Sequence, residues 1–338
     1  MTFHSDIEYL AASIPDADVD ASHLEPEPAE PPAASAFDVD RLLAASAGYC
    51  VAAADGLVPI EARPATRRLD LGHVLSFCTT HVEVDGEAVP AWADLSGVYP
   101  TADGRHLQIH CNFPHHADGV VELLATPHDR DAVAAAIARR HALELETELV
   151  EAGLVGAVVR TINEWDEHPH ALATRDLPVV SVDRIGDADT VVPNAPLRVL
   201  DCSRVLAGPV AGQMLAGFGA DVIRLGAPHL PSVEIGVIST GFGKRNADAD
   251  LRTTDGRRAM TQLLERADVW IDAFRPGAMS GHDFTPERAA EIRPGIVIVQ
   301  ISAFDEIGPW GGRRGFDSIV QSTTGIRWAG GTHAVDVG

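Results

Sequence analysis

Apolar positions follow two different rhythms along this chain. From residue 197 onward they gather in short runs separated by helix-length intervals. Residues 197–201 (LRVLD) place Leu, Val and Leu in a short run closed by an acid and bounded by turn residues, which suits a parallel strand covered on both faces. Cys202, Ser203 and Arg204 then make a polar turn, and Ala207-Gly208-Pro209 opens a helix, with proline in the first turn where its missing N–H costs nothing. Gly219-Ala220-Asp221 leads into a second strand (VIRLGAPH), and residues 255–266 have helical spacing. A strand–turn–helix edge of this kind presents free backbone N–H groups and the positive end of a helix dipole, which suits an anion. An ordinary βα unit without a ligand is the alternative.

Before residue 197 the pattern is mixed. Residues 37–54 (FDVDRLLAASAGYCVAAA) show helical spacing with an Ala-rich packing face, and residues 69–89 suggest a helix followed by a strand with an Asp85-Gly86 turn. Alternation around Asp103-Gly104 predicts a hairpin within residues 92–112. Helices are expected at 120–124, 131–141 and 143–152, a strand at 154–159, a helical stretch at 162–168 with His168-Pro169-His170 in a loop, and a further strand at 177–186. Residues 187–196 (DADTVVPNAP) read as a linker. The predicted organisation is a mostly unstructured acidic leader over 1–36 with a short helix near residues 7–14, a helical segment over 37–90, a small α+β domain over 91–186, the linker, and a Rossmann-like α/β domain with a parallel sheet over 197–338.

Charge narrows the function classes. With 26 Lys plus Arg against 49 Asp plus Glu, the formal net charge is −23, which disfavours nucleic acid and anionic membrane surfaces as partners. No apolar run reaches the ~20 residues of a membrane span, and the first residues lack a secretory pattern. The 4 cysteines show no paired spacing, and a reduced, cytoplasmic setting follows. His106, His110, Cys111, His115 and His116 match no zinc pattern; strand alternation puts His106 and His110 on one face, and surface or hydrogen-bonded histidines are expected rather than a metal. No G-x-G-x-x-G follows the first strand, so a nicotinamide cofactor is not indicated. Lys244 is the one lysine of the sequence. A lone ammonium in Gly-Lys-Arg suggests a site that needs a compact point charge, as phosphate sites do.

Five segments in register, LRVLDCSRVLAGPVAG, GFGKRNADADL, ADVWIDAFRPGAM, RPGIVIVQISAF and GPWGGRRGFDSIVQSTTG, resemble the family III CoA-transferases (CaiB/BaiF type), the group that also holds α-methylacyl-CoA racemases. The hairpin YPTADG resembles the small domain of the same family, placed here ahead of the large domain rather than behind it. The resemblance implies coenzyme A or acyl-CoA as substrate, a carboxylic acid as the exchange partner, a homodimer, and an aspartyl anhydride and thioester mechanism. It places CoA contacts at Leu206 and Ala207, at Ala227 (a position often basic in the family, with His229 as a substitute), at Gly241, Phe242, Gly243 and Lys244, at Ala273, Phe274 and Arg275, at Gly281, and at Arg314, Gly315, Phe316 and Asp317. Phe316 stands where the racemases carry a catalytic histidine, which argues against proton-transfer chemistry. The family's nucleophilic aspartate falls about thirty residues beyond Phe316, which places it past Gly338, the last residue of the sequence. Asp336 fills that role only with a shortened loop, and the chain is expected to be a fragment or an inactive relative. A non-catalytic CoA-binding protein and an acyl-CoA racemase are the competing readings.

Overall fold

Strand runs that are apolar on both faces can only be satisfied inside a layered structure, and the computed structural model places them there. It describes residues 2–15, 17, 19–27, 37–56, 63–78, 82–188 and 196–329. By contacts the chain divides into two units, residues 1–80 with 176–184, and residues 81–175 with 185–338.

The first unit holds helix α1 (Phe3–Ala12), strand β1 (Leu24–Glu27), helix α2 (Val39–Gly56), strand β2 (Arg67–Asp70) and helix α3 (Leu71–Cys78). β1 and β2 pair in parallel. Ile7 and Leu24 join Ala45 and Ala52 of the Ala-rich helix in one apolar cluster. The short helix expected near residues 7–14 forms as α1, whereas Leu24–Glu27, read as unstructured leader, forms β1. Ile7, Leu10 and Leu24 supply apolar side chains, and α2 offers the small-residue face they bury against. Asp55, 4% exposed, accepts from Arg67 through both carboxylate oxygens and lies 2.9 Å from His23 Nε2.

The second unit begins with a tight hairpin, β3 (Glu83–Val84) and β4 (Glu87–Ala88), turning on Asp85 and Gly86, both at positive φ. Strands β5 (Gly97–Pro100), β6 (His106–Ile109) and β7 (Gly156–Val158) form an antiparallel sheet in the order β5-β6-β7. Between β6 and β7 run α4 (Pro114–Leu124), α5 (Arg130–Ile137) and α6 (Ala142–Glu151). They cover one face of the sheet through Leu107, Ile109, Val133, Ile137, Leu145 and Leu149. Two short helices follow, α7 (Ile162–Asp166) and α8 (Pro169–Thr174), the latter capped by His168, whose Nδ1 accepts from His170 N at 3.2 Å. His168-Pro169-His170 thus starts a helix instead of forming a loop. Residues 177–186 form no strand, and Val179 is 92% exposed. Their apolar alternation finds no neighbouring edge among the described residues.

The parallel sheet follows: β8 (Arg198–Cys202), α9 (Ala207–Gly217), β9 (Asp221–Gly226), α10 (Glu234–Thr240), β10 (Lys244–Asp248), α11 (Thr254–Leu264), β11 (Val269–Asp272), α12 (Pro286–Ile292) and β12 (Val297–Gln300). Its order is β10-β9-β8-β11-β12, all parallel. Val199, Val222 and Ile271 face α9, while Leu200, Leu225 and Trp270 face Met260 and Leu264 of α11 and Ala289 of α12. Both faces are covered, as the unbroken apolar runs require. The chain then returns to the antiparallel sheet. Helix α13 (Asp317–Thr323) lays Ile319 against Val155 and Ala157, Ser322 Oγ hydrogen-bonds Gln108 Oε1, and Arg160 N donates to Ser322 O at 2.9 Å. Helix α14 (Ile326–Ala329) ends the described chain.

Candidate functional site

In a sheet ordered β10-β9-β8-β11-β12 the chain leaves β8 first toward β9 and later returns to β8's other side with β11. The crevice outside the carboxyl ends of β8 and β11 is therefore the topological switch point, where open α/β sheets bind ligands. Helix α9 opens there, and no side chain caps its first turn. Gly208 is what seats it. A methyl group at Gly208 would collide with Ser203 and stand 3.0 Å from Ala273 Cβ, so the helix start lies pressed between the loops after β8 and β11. The structure thus brings Leu206 and Ala207, both exposed, together with Ala273, Phe274 and Arg275.

The turn after β11 is held by Asp272, whose Oδ1 accepts from Phe274 N at 3.0 Å. Asp272 is 7% exposed, and burial, with Glu306 adding repulsion, pushes its carboxyl up to about 6. The sequence offered one signal for this residue, an acid closing an otherwise apolar strand.

On the same edge stand two exposed arginines, Arg275 and Arg314; partial burial, then the charge of Arg275, holds the Arg314 guanidinium below its usual value. Neither makes an ion pair among the described residues. Arg314 Nη1 lies 3.3 Å from His116 Nε2, which must accept, leaving the His116 proton on Nδ1. That Nδ1 has no partner, and neither ring nitrogen of His110 has one. His116 and His110 are 3% and 5% exposed; burial lowers them to about 3 and about 4, with His115 and Arg314 also acting on His116. The expectation of surface or hydrogen-bonded histidines fails at His110, and at His116 it is met by one ring nitrogen only. His110 stacks on Phe316 with ring centroids 3.9 Å apart at 14°, so an imidazole does lie against the position in question, but it comes from the end of β6. Among the described residues no group of three or more His, Cys, Asp or Glu is placed to hold a metal.

The remaining candidates scatter. Lys244 does not face solvent. Its side chain is fully buried, and Nζ donates to Asp201 Oδ2 at 2.8 Å and to Pro209 O at 2.6 Å. The expected point charge for a phosphate is spent inside the protein, because Asp201, buried at the end of an apolar strand, needs a cation. Gly243 packs on Ala216 near the end of α9, so Gly241, Phe242 and Gly243 lie at the far end from Ala207, roughly 16 Å along an 11-residue helix. Ala227 sits in the turn after β9, and His229 lies 3.6 Å from Asp250, to which it is turned. Gly281 is exposed with open space around it. Gly315 has no room for a side chain beside Ala303 and Phe304. Asp317 opens α13 and accepts from Gln321 Nε2 at 2.5 Å. Asp336 lies outside the described residues, and so does Gly338, the residue beyond which the family pattern puts its aspartate.

Comparisons with known proteins bear on the same region. The sequence model described as CoA-transferase family III matches residues 194–336. A formyl-CoA:oxalate CoA-transferase of Streptomyces coelicolor is 35% identical over 140 residues, covering 38% of this chain and 34% of that protein. A succinate–glutarate CoA-transferase of Agrobacterium fabrum is 33% identical over 152 residues, covering 40% and 38%. The probable fatty acyl-CoA transferase Rv3272 of Mycobacterium tuberculosis is 35% identical over 142 residues, covering 38% and 36%. Among solved structures, a CAIB/BAIF family protein from Brucella suis aligns at a TM-score of 0.33 with 32% identity, covering 37% of each chain. The chain spans little more than a third of the length of the curated relatives it matches.

Proposed function

We propose that residues 194–336 supply the coenzyme A side of a family III acyl-CoA transferase. The observation that carries this is a pair of arginines, Arg275 and Arg314, that meet no acid among the described residues, beside the uncapped start of α9, at the switch point of a chain whose net charge is −23. On so acidic a protein, unpaired cations converging on one edge suit an elongated anion. In this reading Leu206, Ala207, Ala273 and Phe274 line the thiol-bearing half of the ligand, and Arg275 and Arg314 meet its phosphates. Gly241, Phe242, Gly243 and Lys244 contribute backbone only.

The reaction requires a carboxylate nucleophile, for which Asp336 is the candidate within this sequence. Its oxygen attacks the thioester carbonyl of acyl-CoA, the C–S bond breaks, and CoA leaves as thiolate. The thiolate then attacks the aspartyl carbonyl of the mixed anhydride and releases the first acid, leaving an enzyme thioester that a second carboxylate reopens. Proton transfer at an α-carbon is not favoured, since Phe316 has no titratable atom. The reading carries with it a homodimer and a cytoplasmic setting. No helix among the described residues is long and apolar enough to cross a membrane.

The test is calorimetry with CoA, followed by mass spectrometry after mixing with acyl-CoA. A saturable CoA complex and a covalent CoA adduct that Asp336→Asn abolishes are expected. A folded chain with no CoA affinity overturns the reading, and an adduct that survives Asp336→Asn removes that residue from it.

A further inference from the structure

A second pair of arginines lies on the other side of β8, toward β9. Arg204 and Arg224 line one small cleft with Val205, Val233, Val237 and Thr240. Neither guanidinium makes an ion pair among the described residues. Arg204 donates to Pro231 O and lies over the Phe113 ring at 4.7 Å, and Arg224 Nη2 donates to Ser232 Oγ at 3.3 Å. Both partners are neutral. Asp248 shares the approach to Gly226 with Arg224 but forms no ion pair with it. Burial, then the charge of Arg224, holds the Arg204 guanidinium below its usual value, the sign of a cation that lacks its counter-charge.

The cleft is also built stiffly. Val205 stands at φ +71°, a conformation β-branched residues rarely adopt, and Gly236 of α10 sits so close that a methyl group there would stand 3.1 Å from Val205 O. The position of Arg204 is thereby fixed by α10. Arginine presents its donors as a planar fork that matches carboxylate and phosphate oxygens, and two forks facing one space lower the ligand's charge from two sides.

We propose that Arg204 and Arg224, with the Ser232 hydroxyl, form a binding cleft for the oxyanion end of a small ligand, a carboxylate or phosphate on a short aliphatic stem that rests on Val233 and Val237. The cleft shares Pro209, in the first turn of α9, with the switch point, and the proposal does not depend on the coenzyme A reading.

The experiment titrates the full 338-residue chain with inorganic phosphate, with succinate and with chloride at matched ionic strength, by calorimetry and thermal shift. One oxyanion is expected to saturate a site that depends on Arg224, at least ten times more tightly than chloride. Arg224→Gln, whose wild-type side chain bonds an exposed serine, should weaken it tenfold or more, Arg224→Lys should recover part of the loss, and Arg288→Ala, on the exposed face of α12, should change nothing. A response to phosphate alone assigns a phosphate group, and a response to succinate alone a carboxylate. If phosphate and succinate bind no better than chloride, or if Arg224→Gln keeps its fold and the full affinity, the pocket is refuted.

Discussion

Arg160 and Arg313 face the opposite problem from Arg275 and Arg314. The first two are buried and share Glu146: Arg160 through both Nη atoms, Arg313 at 3.2 Å, with Arg313 also donating to Gly156 O at 2.7 Å and lying 4.0 Å from the Trp310 ring centroid. Glu146 is 5% exposed, and its two arginines hold it below the usual carboxylate range against the pull of burial. The second two are exposed and meet no acid among the described residues. A chain with 49 acids could pair every one of its cations. The inside of the molecule uses the acid–arginine match to tie residue 146 to residue 313, while the switch-point edge leaves its cations open. Where a charge is unpaired is thus more informative than where charges are many.

Breaking the inner cluster should have the largest effect. Glu146→Gln leaves two buried guanidiniums without a counter-charge and is expected to cost about 3–5 kcal/mol in urea unfolding. A loss below ~1 kcal/mol would mean the cluster is solvated and the contrast is false. Next is Asp272. Its carboxyl is raised from 3.8 to about 6 in the folded state, so the fold binds the proton more tightly than the unfolded chain does. That contribution is complete below pH 3.8 and is lost as pH rises through 6. Asp272→Asn should therefore stabilise the protein by up to about 3 kcal/mol above pH 7 and by little at pH 4, read from unfolding curves at both values. A variant equally stabilised at both would sink the assignment. The smallest effect falls on the open edge. Arg275→Ala or Arg314→Ala should leave the unfolding midpoint within about 0.5 kcal/mol while weakening CoA binding by roughly 1–2 kcal/mol each, less at high salt. A large stability loss instead would show that these arginines are structural after all.

The sheet was largely readable before the fold was known. The LRVLD run became β8, one residue shifted, and Pro209 did open α9; residues 255–266 became α11. Apolar runs and prolines act locally, which is why they survive. The predicted hairpin around Asp103-Gly104 formed as β5 and β6 for the same reason. What could not be read were meetings across the chain. Nothing near Lys244 announces that Asp201 would claim its ammonium, because that pair is set by strand register. Nor does the sequence near His110 and His116 show that Phe316 and Arg314, about two hundred residues on, would bury them. The alternation of 177–186 reads as a strand, but alternation supplies a strand's faces and not its neighbour.

The burial of Lys244 reaches beyond binding. The sequence's one side-chain amine sits between Asp201 and the Pro209 carbonyl with no surface open to reagents. Amine-reactive labels and cross-linkers should pass over this segment while it is folded and attach as it opens. Acylation of that single position thereby becomes a clock for unfolding of the sheet, written into the chain without any added probe.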